Sequence, residues 1–311
     1  MMADSSGQPV STLMVDETYA TADDRFVELV RQVDSAPYLA GLADRWKKDA
    51  RPWARQQIFK YLALPMDRPG HHPLVKRLFK QAEASGDDEL MAAFMVAFDR
   101  LVRRKRRMRY HWDFSTRQSS QLEELFAPRN QIMPPKSGRA GRVVVNPFTG
   151  EKIQVPARPN RRVEGVLFSY TTRGYLRRRA WRYFRRLGFQ RATDYPTRVA
   201  TALASYVDDD FAKGENILDN WSLVHIAFRR CSVLVFGRRR VELAEGQSLG
   251  GLIAAPQFEE LWAKPESAAV LLDLMRRASS RLVRVWAMQL LKRHHTATLQ
   301  TLSAEQLLEL L

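Results

Sequence analysis

The chain has 311 residues, 45% hydrophobic and 27% charged, and its 50 Lys/Arg outnumber 34 Asp/Glu to give a net charge of +16. That is enough apolar material for one large core or two to three smaller ones. No run reaches the ~18 consecutive apolar residues of a membrane span, and the single cysteine, Cys231, cannot close an internal disulfide.

The opening residues, MMADSSGQPVSTLMVDETY, lack the basic and apolar segments of a secretory signal and read as a disordered tail over 1–20. Helical periodicity follows from Arg25 to Arg103 in FVELVRQV, PYLAGLADRW, PWARQQIFKYLAL, HPLVKRLFKQAEAS and DDELMAAFMVAFDRLVRR. Pro37, Pro52, Pro65, Pro69, Gly70 and Gly86 separate them, and Asp87 and Asp88 offer an N-cap. These segments predict a helical block over 21–110. The cluster Arg103, Arg104, Lys105, Arg106 and Arg107 reads as the end of its last helix, where cations suit the negative helix terminus.

Residues 111–166 are proline-rich and read as a basic connector. Within it, RVVVNPFTGEKIQV predicts a hairpin over 142–155, with Gly150 supplying a positive φ. Helices resume over 167–311, interrupted at SVLVFGRRRVEL by a second small hairpin near Gly237. Cys231 sits in this apolar stretch, which predicts a buried thiol and suits a reducing cytoplasm.

Charge is concentrated: residues 101–190 hold 22 Lys/Arg against five acids, a net +17, and the rest of the chain sums to −1. At its centre lies TTRGYLRRRAWRYFRRLG, residues 171–188. Stepping ~100° per residue puts Leu176, Ala180, Tyr183, Phe184 and Leu187 on one stripe and Arg178, Arg182, Arg185 and Arg186 opposite. Trp181 falls at the border, Thr171 or Thr172 at the N-cap and Gly188 at the stop. Such a face is either a solvated helix surface or a grip for polyanions.

Three helices share a register: Ala54-Arg55-x-x-Ile58-x-x-Tyr61-Leu62, Leu176-Arg177-x-x-Ala180-x-x-Tyr183-Phe184 and Val283-Arg284-x-x-Ala287-x-x-Leu290-Leu291. Leu90-Met91-x-x-Phe94 makes a weaker fourth copy. This helix, with its partner PESAAVLLDLMRRAS, resembles the inner helix of HEAT or armadillo-type repeats, including bacterial HEAT-repeat proteins of unassigned function. The resemblance implies an all-α solenoid of antiparallel helix pairs carrying one or two small β-hairpin insertions. At the chain's end SAEQLLELL has Ser303 as N-cap and Gln306 at N3. Its leucines suggest an incomplete repeat whose edge continues further or self-associates.

No catalytic or nucleotide-binding motif is present, so no cofactor is expected. His71-His72 and His294-His295 are neighbours that point ~100° apart and read as surface residues rather than metal ligands. Asp208-Asp209-Asp210 reads as the end of the helix from Tyr195. The leading reading is a non-catalytic scaffold for protein partners, with nucleic-acid binding through 101–190 as the alternative. The HEAT-like resemblance adds a remote one, a DNA glycosylase using Trp181, Trp221, Trp262, Trp286 and Asp219.

Overall fold

The computed structural model describes residues 11–126, 142–145, 150–155, 166–303 and 305–306. Helix dominates the described residues, with fourteen α-helices. Three antiparallel hairpins pair β1 (Lys105–Asp113) with β2 (Gln118–Phe126), β3 (Arg142–Val145) with β4 (Lys152–Val155) and β5 (Leu234–Phe236) with β6 (Val241–Leu243). No described helix is long and apolar enough to cross a membrane.

The chain forms two compact units that interleave in sequence. One takes the described parts of 1–60, 66–78 and 129–169; the other takes 61–65, 79–128 and 170–311. This differs from the expected blocks at 21–110 and 167–311 with a connector at 111–166. The first hairpin belongs with the C-terminal helices, and the second with the N-terminal ones.

The first unit holds α1 (Thr12–Ala20), α2 (Phe26–Val30), α3 (Ala36–Lys48), most of α4 (Pro52–Ala63), the start of α5 (His72–Ala84) and the β3–β4 hairpin. Residues 12–20, expected in a disordered tail, are helical: the Ser11 side chain accepts the Leu13 N–H, and Val15 is buried. Residues 1–10 lie outside the described residues. Phe26 forms the centre of an aromatic core, with its ring 5.0 Å from Trp46, 5.3 Å from Tyr19 and 5.4 Å from Trp53. His71, expected at the surface, is buried, with Nε2 3.0 Å from the Val33 carbonyl oxygen.

In the second unit, α5 stops at Gly86, whose φ of +64° suits a residue without Cβ, and Asp87 caps α6 (Asp88–Arg100) by accepting the Leu90 N–H at 3.1 Å. After β1–β2 come α7 (Tyr170–Gln190), α8 (Tyr195–Ala204), a short 3-10 turn at Asp208–Phe211, α9 (Asn216–Asp219) and α10 (Trp221–Ala227). The β5–β6 hairpin leads to α11 (Glu259–Trp262), α12 (Ser267–Arg277), α13 (Arg281–His294) and α14 (Thr296–Gln300). Helix α6 packs on α7 and α8, α7 on α10, and α12 on α8 and α13.

Every copy of the shared register buries its stripe. Ala54, Ile58, Tyr61 and Leu62 are buried on α4, Leu90, Met91 and Phe94 on α6, Leu176, Ala180, Tyr183 and Phe184 on α7, and Val283, Ala287, Leu290 and Leu291 on α13. Gly188 does not end α7. It lies inside the helix and is buried, because a Cβ there would sit 2.5 Å from Cε2 of Phe258. Neither Thr171 nor Thr172 caps the helix, which already begins at Tyr170.

Cys231 is a buried free thiol. His295 is also buried, its Nε2 2.8 Å from the Trp262 carbonyl oxygen, rather than at the surface. Ser303 and Gln306 exchange the two bonds of a capping box, at 3.0 and 3.2 Å. The leucines 307–311, expected to form an open apolar edge, lie outside the described residues.

Candidate polyanion-binding surface

The cluster at 103–107 is not the end of a helix. Helix α6 stops at Arg100, and the chain passes into β1, so these side chains knit the base of the first hairpin to the 208–220 segment. Arg103 donates to Asp210 at 3.2 Å and to the Asn220 side chain at 3.2 Å. The Arg104 backbone N–H meets the Asp219 carboxylate at 2.7 Å, and its guanidinium pairs with the same group. Arg106 pairs with Glu215 at 2.8 Å and Glu123 at 3.0 Å. Arg103, Arg104 and Arg106 are thus engaged within the protein. Lys105 and Arg107 are exposed on β1, Arg107 lying 4.5 Å from the Phe126 ring centre.

Asp208-Asp209-Asp210 opens the 3-10 turn instead of closing α8. Asp210 is buried and pairs with Arg100 at 2.8 Å as well as with Arg103. The residues of the glycosylase reading do not share one site: Asp219 is buried against Arg104, and Trp262 and Trp286 pack edge to face within the core at 5.1 Å.

Helix α7 sorts its seven arginines sharply. Arg173 and Arg177 are buried, which the 100° stepping did not single out. Arg182, Arg185 and Arg186 are exposed, and Arg178 and Arg179 are half-buried. A groove of about 450 Å³ runs along this face, lined by Glu83 and Arg179, Arg182, Arg185 and Arg186, with the exposed rings of Tyr175 and Phe189. Glu83 pairs with Arg179 at 2.7 Å and Arg186 at 3.3 Å. That one carboxylate faces four guanidiniums. Among the described residues Arg182 donates to the Arg178 carbonyl alone, at 3.2 Å, and Arg185 stacks between Trp181 (5.6 Å) and Phe189 (5.7 Å).

The β5–β6 turn meets this surface at Arg178, which lines a small cleft together with Arg239, and the buried Arg177 anchors the turn by donating from Nη2 to the Arg239 carbonyl oxygen at 2.8 Å. Arg238 and Arg239 are exposed, and among the described residues neither they nor Arg178, Arg182 and Arg185 have an acidic partner. Partial burial lowers the Arg178 pKa, and the charges of Arg182, Arg239 and Arg238 lower it further. The local signal for these two arginines is the run Gly237-Arg238-Arg239-Arg240 at the turn of the predicted hairpin.

The first hairpin adds a second missed feature. Both faces of β1 are exposed, and Met108, Tyr110 and Trp112 line one of them, with Phe114 at the tip. Asp113 holds the turn, accepting Ser115 N–H at 2.8 Å and its hydroxyl at 2.6 Å, and Arg117 takes a φ of +53°. Comparisons with protein-family models, with curated proteins and with solved structures give no match to this chain.

Proposed function

We propose that the protein binds nucleic acid, using the arginine face of α7 and the β5–β6 turn as its contact with the phosphate backbone. The observation that carries this reading is five arginines, Arg178, Arg182, Arg185, Arg238 and Arg239, on one surface with no acidic partner among the described residues. Like charges held together cost energy, and counter-anions spaced along a polymer relieve that cost. Phe189 and Tyr175 interleave with the cations, and aromatic rings beside a basic groove suit the stacking of unpaired bases. The helices behind this surface act as a framework of the HEAT-like kind.

The test is a gel-shift titration at two salt concentrations with wild type and with Arg182→Gln, Arg185→Gln combined. Binding whose affinity falls steeply with salt, and whose slope is shallower in the variant by up to ~2, supports the reading. Salt-independent binding, or an unchanged slope, removes it.

A scaffold for protein partners is the second reading, favoured by one observation: Met108, Tyr110, Trp112 and Phe114 are exposed on the first hairpin with no described element covering them. An apolar strand face of this kind suits a partner polypeptide. The same titration separates the two, because that contact would respond to the hairpin rings and not to the α7 arginines.

A further inference from the structure

A small cleft opens beside the first turn of α7. It has a volume of about 80 Å³ and is lined by Val102, Tyr170, Thr171, Gly174, Arg177, Arg178 and Arg239. No acidic residue lines it. A water needs only ~10–15 Å³ of such space, so the cleft has room for one tetrahedral oxyanion.

The chemistry of the lining is cationic from three directions. Helix α7 is 21 residues long, so its N-terminal turn carries the positive end of a full helix dipole. Gly174 keeps one wall low, since the nearest atom to a Cβ there would be Arg178 Nη1 at 3.4 Å. Arg177 is 94% buried; its Nη2 is bound to the Arg239 carbonyl, while its buried Nε has no hydrogen-bond partner among the described residues. A buried donor left unmatched is costly, and charged donors are the costliest.

The nearest acids do not fill this role. Asp99 and Asp219 act on Arg177 through space, but Asp99 is bonded to Ser222, Leu223 and Tyr206, and Asp219 to Arg104. The indole face of Trp221, 5.1 Å from the Arg177 guanidinium, positions that group without supplying an acceptor. Arg178 and Arg239 remain at the rim with no acid between them.

We infer that this cleft is a phosphomonoester site, in which Arg177 and the first turn of α7 form the floor and Arg178 and Arg239 close over a single terminal phosphate. A terminal phosphate enters on one arm and brings up to two negative charges to these guanidiniums, where an internal phosphodiester brings one. That the phosphate comes from the end of a nucleic-acid strand rests on the function proposed above; the cleft itself does not.

The experiment uses the full chain and three probes: orthophosphate, a 5′-phosphorylated single-stranded oligonucleotide and its 5′-hydroxyl counterpart. Thermal shift against orthophosphate should saturate in wild type and in Lys292→Gln, an exposed cation of α13 outside both the cleft and the arginine groove. In Arg178→Gln, Arg239→Gln it should weaken at least tenfold, and circular dichroism checks that this variant is folded. Orthophosphate without a saturable effect on wild type, or with equal effect on all three proteins, overturns the site even if both oligonucleotides bind. A preference for the 5′-phosphate that vanishes in Arg178→Gln, Arg239→Gln supports a strand end as the source. Saturable orthophosphate binding with no discrimination between oligonucleotides supports the cleft and assigns it to free phosphate, leaving the arginine groove to be judged by its salt slope.

Discussion

Asp99, on α6, accepts both donors of Ser222 at the first turn of α10: the backbone N–H at 2.9 Å and the hydroxyl at 3.1 Å. The same carboxylate takes the Leu223 N–H at 3.2 Å and the Tyr206 hydroxyl at 2.8 Å. Complete burial pushes its pKa up, and the Ser222, Tyr206 and Leu223 donors oppose that shift. It caps, from another helix, a terminus that has no side-chain cap of its own. Asp99→Ala leaves these donors unmatched in the core, and we expect a loss of about 3–5 kcal/mol in chemical denaturation. A variant as stable as wild type would show that α10 is held by other contacts.

Gly188→Ala should destabilise the second unit, although alanine is the better helix former by roughly 1 kcal/mol. Its methyl group would overlap the Phe258 ring, which is itself fixed edge to face against Tyr195 at 5.1 Å and Phe189 at 5.0 Å. Moving a ring so enclosed costs about 1–3 kcal/mol. Gly174→Ala on the same helix meets only the far end of a flexible arginine and should be neutral or stabilising. A lower melting temperature for the first variant and not the second is the expected pattern.

Acid should weaken both units before their carboxylates titrate. Burial lowers the His71 pKa to about 4 and that of His225 to about 3. The unfolded chain takes a proton on each ring near pH 6.5, while the folded chain resists it. Protons therefore favour unfolding across that window, and stability present above pH 6.5 is lost as pH falls toward 4. For His71 the loss approaches roughly 3 kcal/mol. Denaturation of His71→Gln, whose amide can still donate to the Val33 carbonyl, should show a flatter dependence between pH 6.5 and 4 than wild type.

The apolar stripe of α7 was readable because Leu176, Ala180, Tyr183, Phe184 and Leu187 recur at helical spacing, and burial follows that spacing directly. What escaped local reading was decided by distant partners. Arg103, Arg104 and Arg106 look like free charge until Asp210, Asp219 and Glu215, over a hundred residues later, neutralise them. Gly188 looks like a helix stop because its real constraint is the Phe258 ring. The β1–β2 hairpin lacks the Asn-Gly or Gly signal of a tight turn, using the Asp113 side chain and a left-handed Arg117 instead. Its trace in the sequence was the alternation of Met108, Tyr110 and Trp112 with Arg107, Arg109 and His111, a period of two where a helix end was expected.

Glu83 is the one acid in the α7 groove, so replacing it tests the groove by gain rather than loss. Its carboxylate holds Arg179 and Arg186 at 2.7 and 3.3 Å and repels any approaching phosphate. In Glu83→Gln the side-chain oxygen still accepts a hydrogen bond while the negative charge is gone, and half-exposed pairs of this kind contribute about 1 kcal/mol or less, so the fold should survive. Arg179 and Arg186 are then free to meet phosphates. Removing one opposing charge several ångströms away in a wet groove contributes roughly 1 kcal/mol, or about fivefold in affinity. Two newly available arginines steepen the salt slope on a single strand by up to ~1.4. Tighter, more salt-sensitive binding of single-stranded oligonucleotide by Glu83→Gln is the result the proposed function requires, and fluorescence anisotropy at two ionic strengths measures it. Unchanged or weaker binding by a folded variant would mean that phosphates do not pass through this groove.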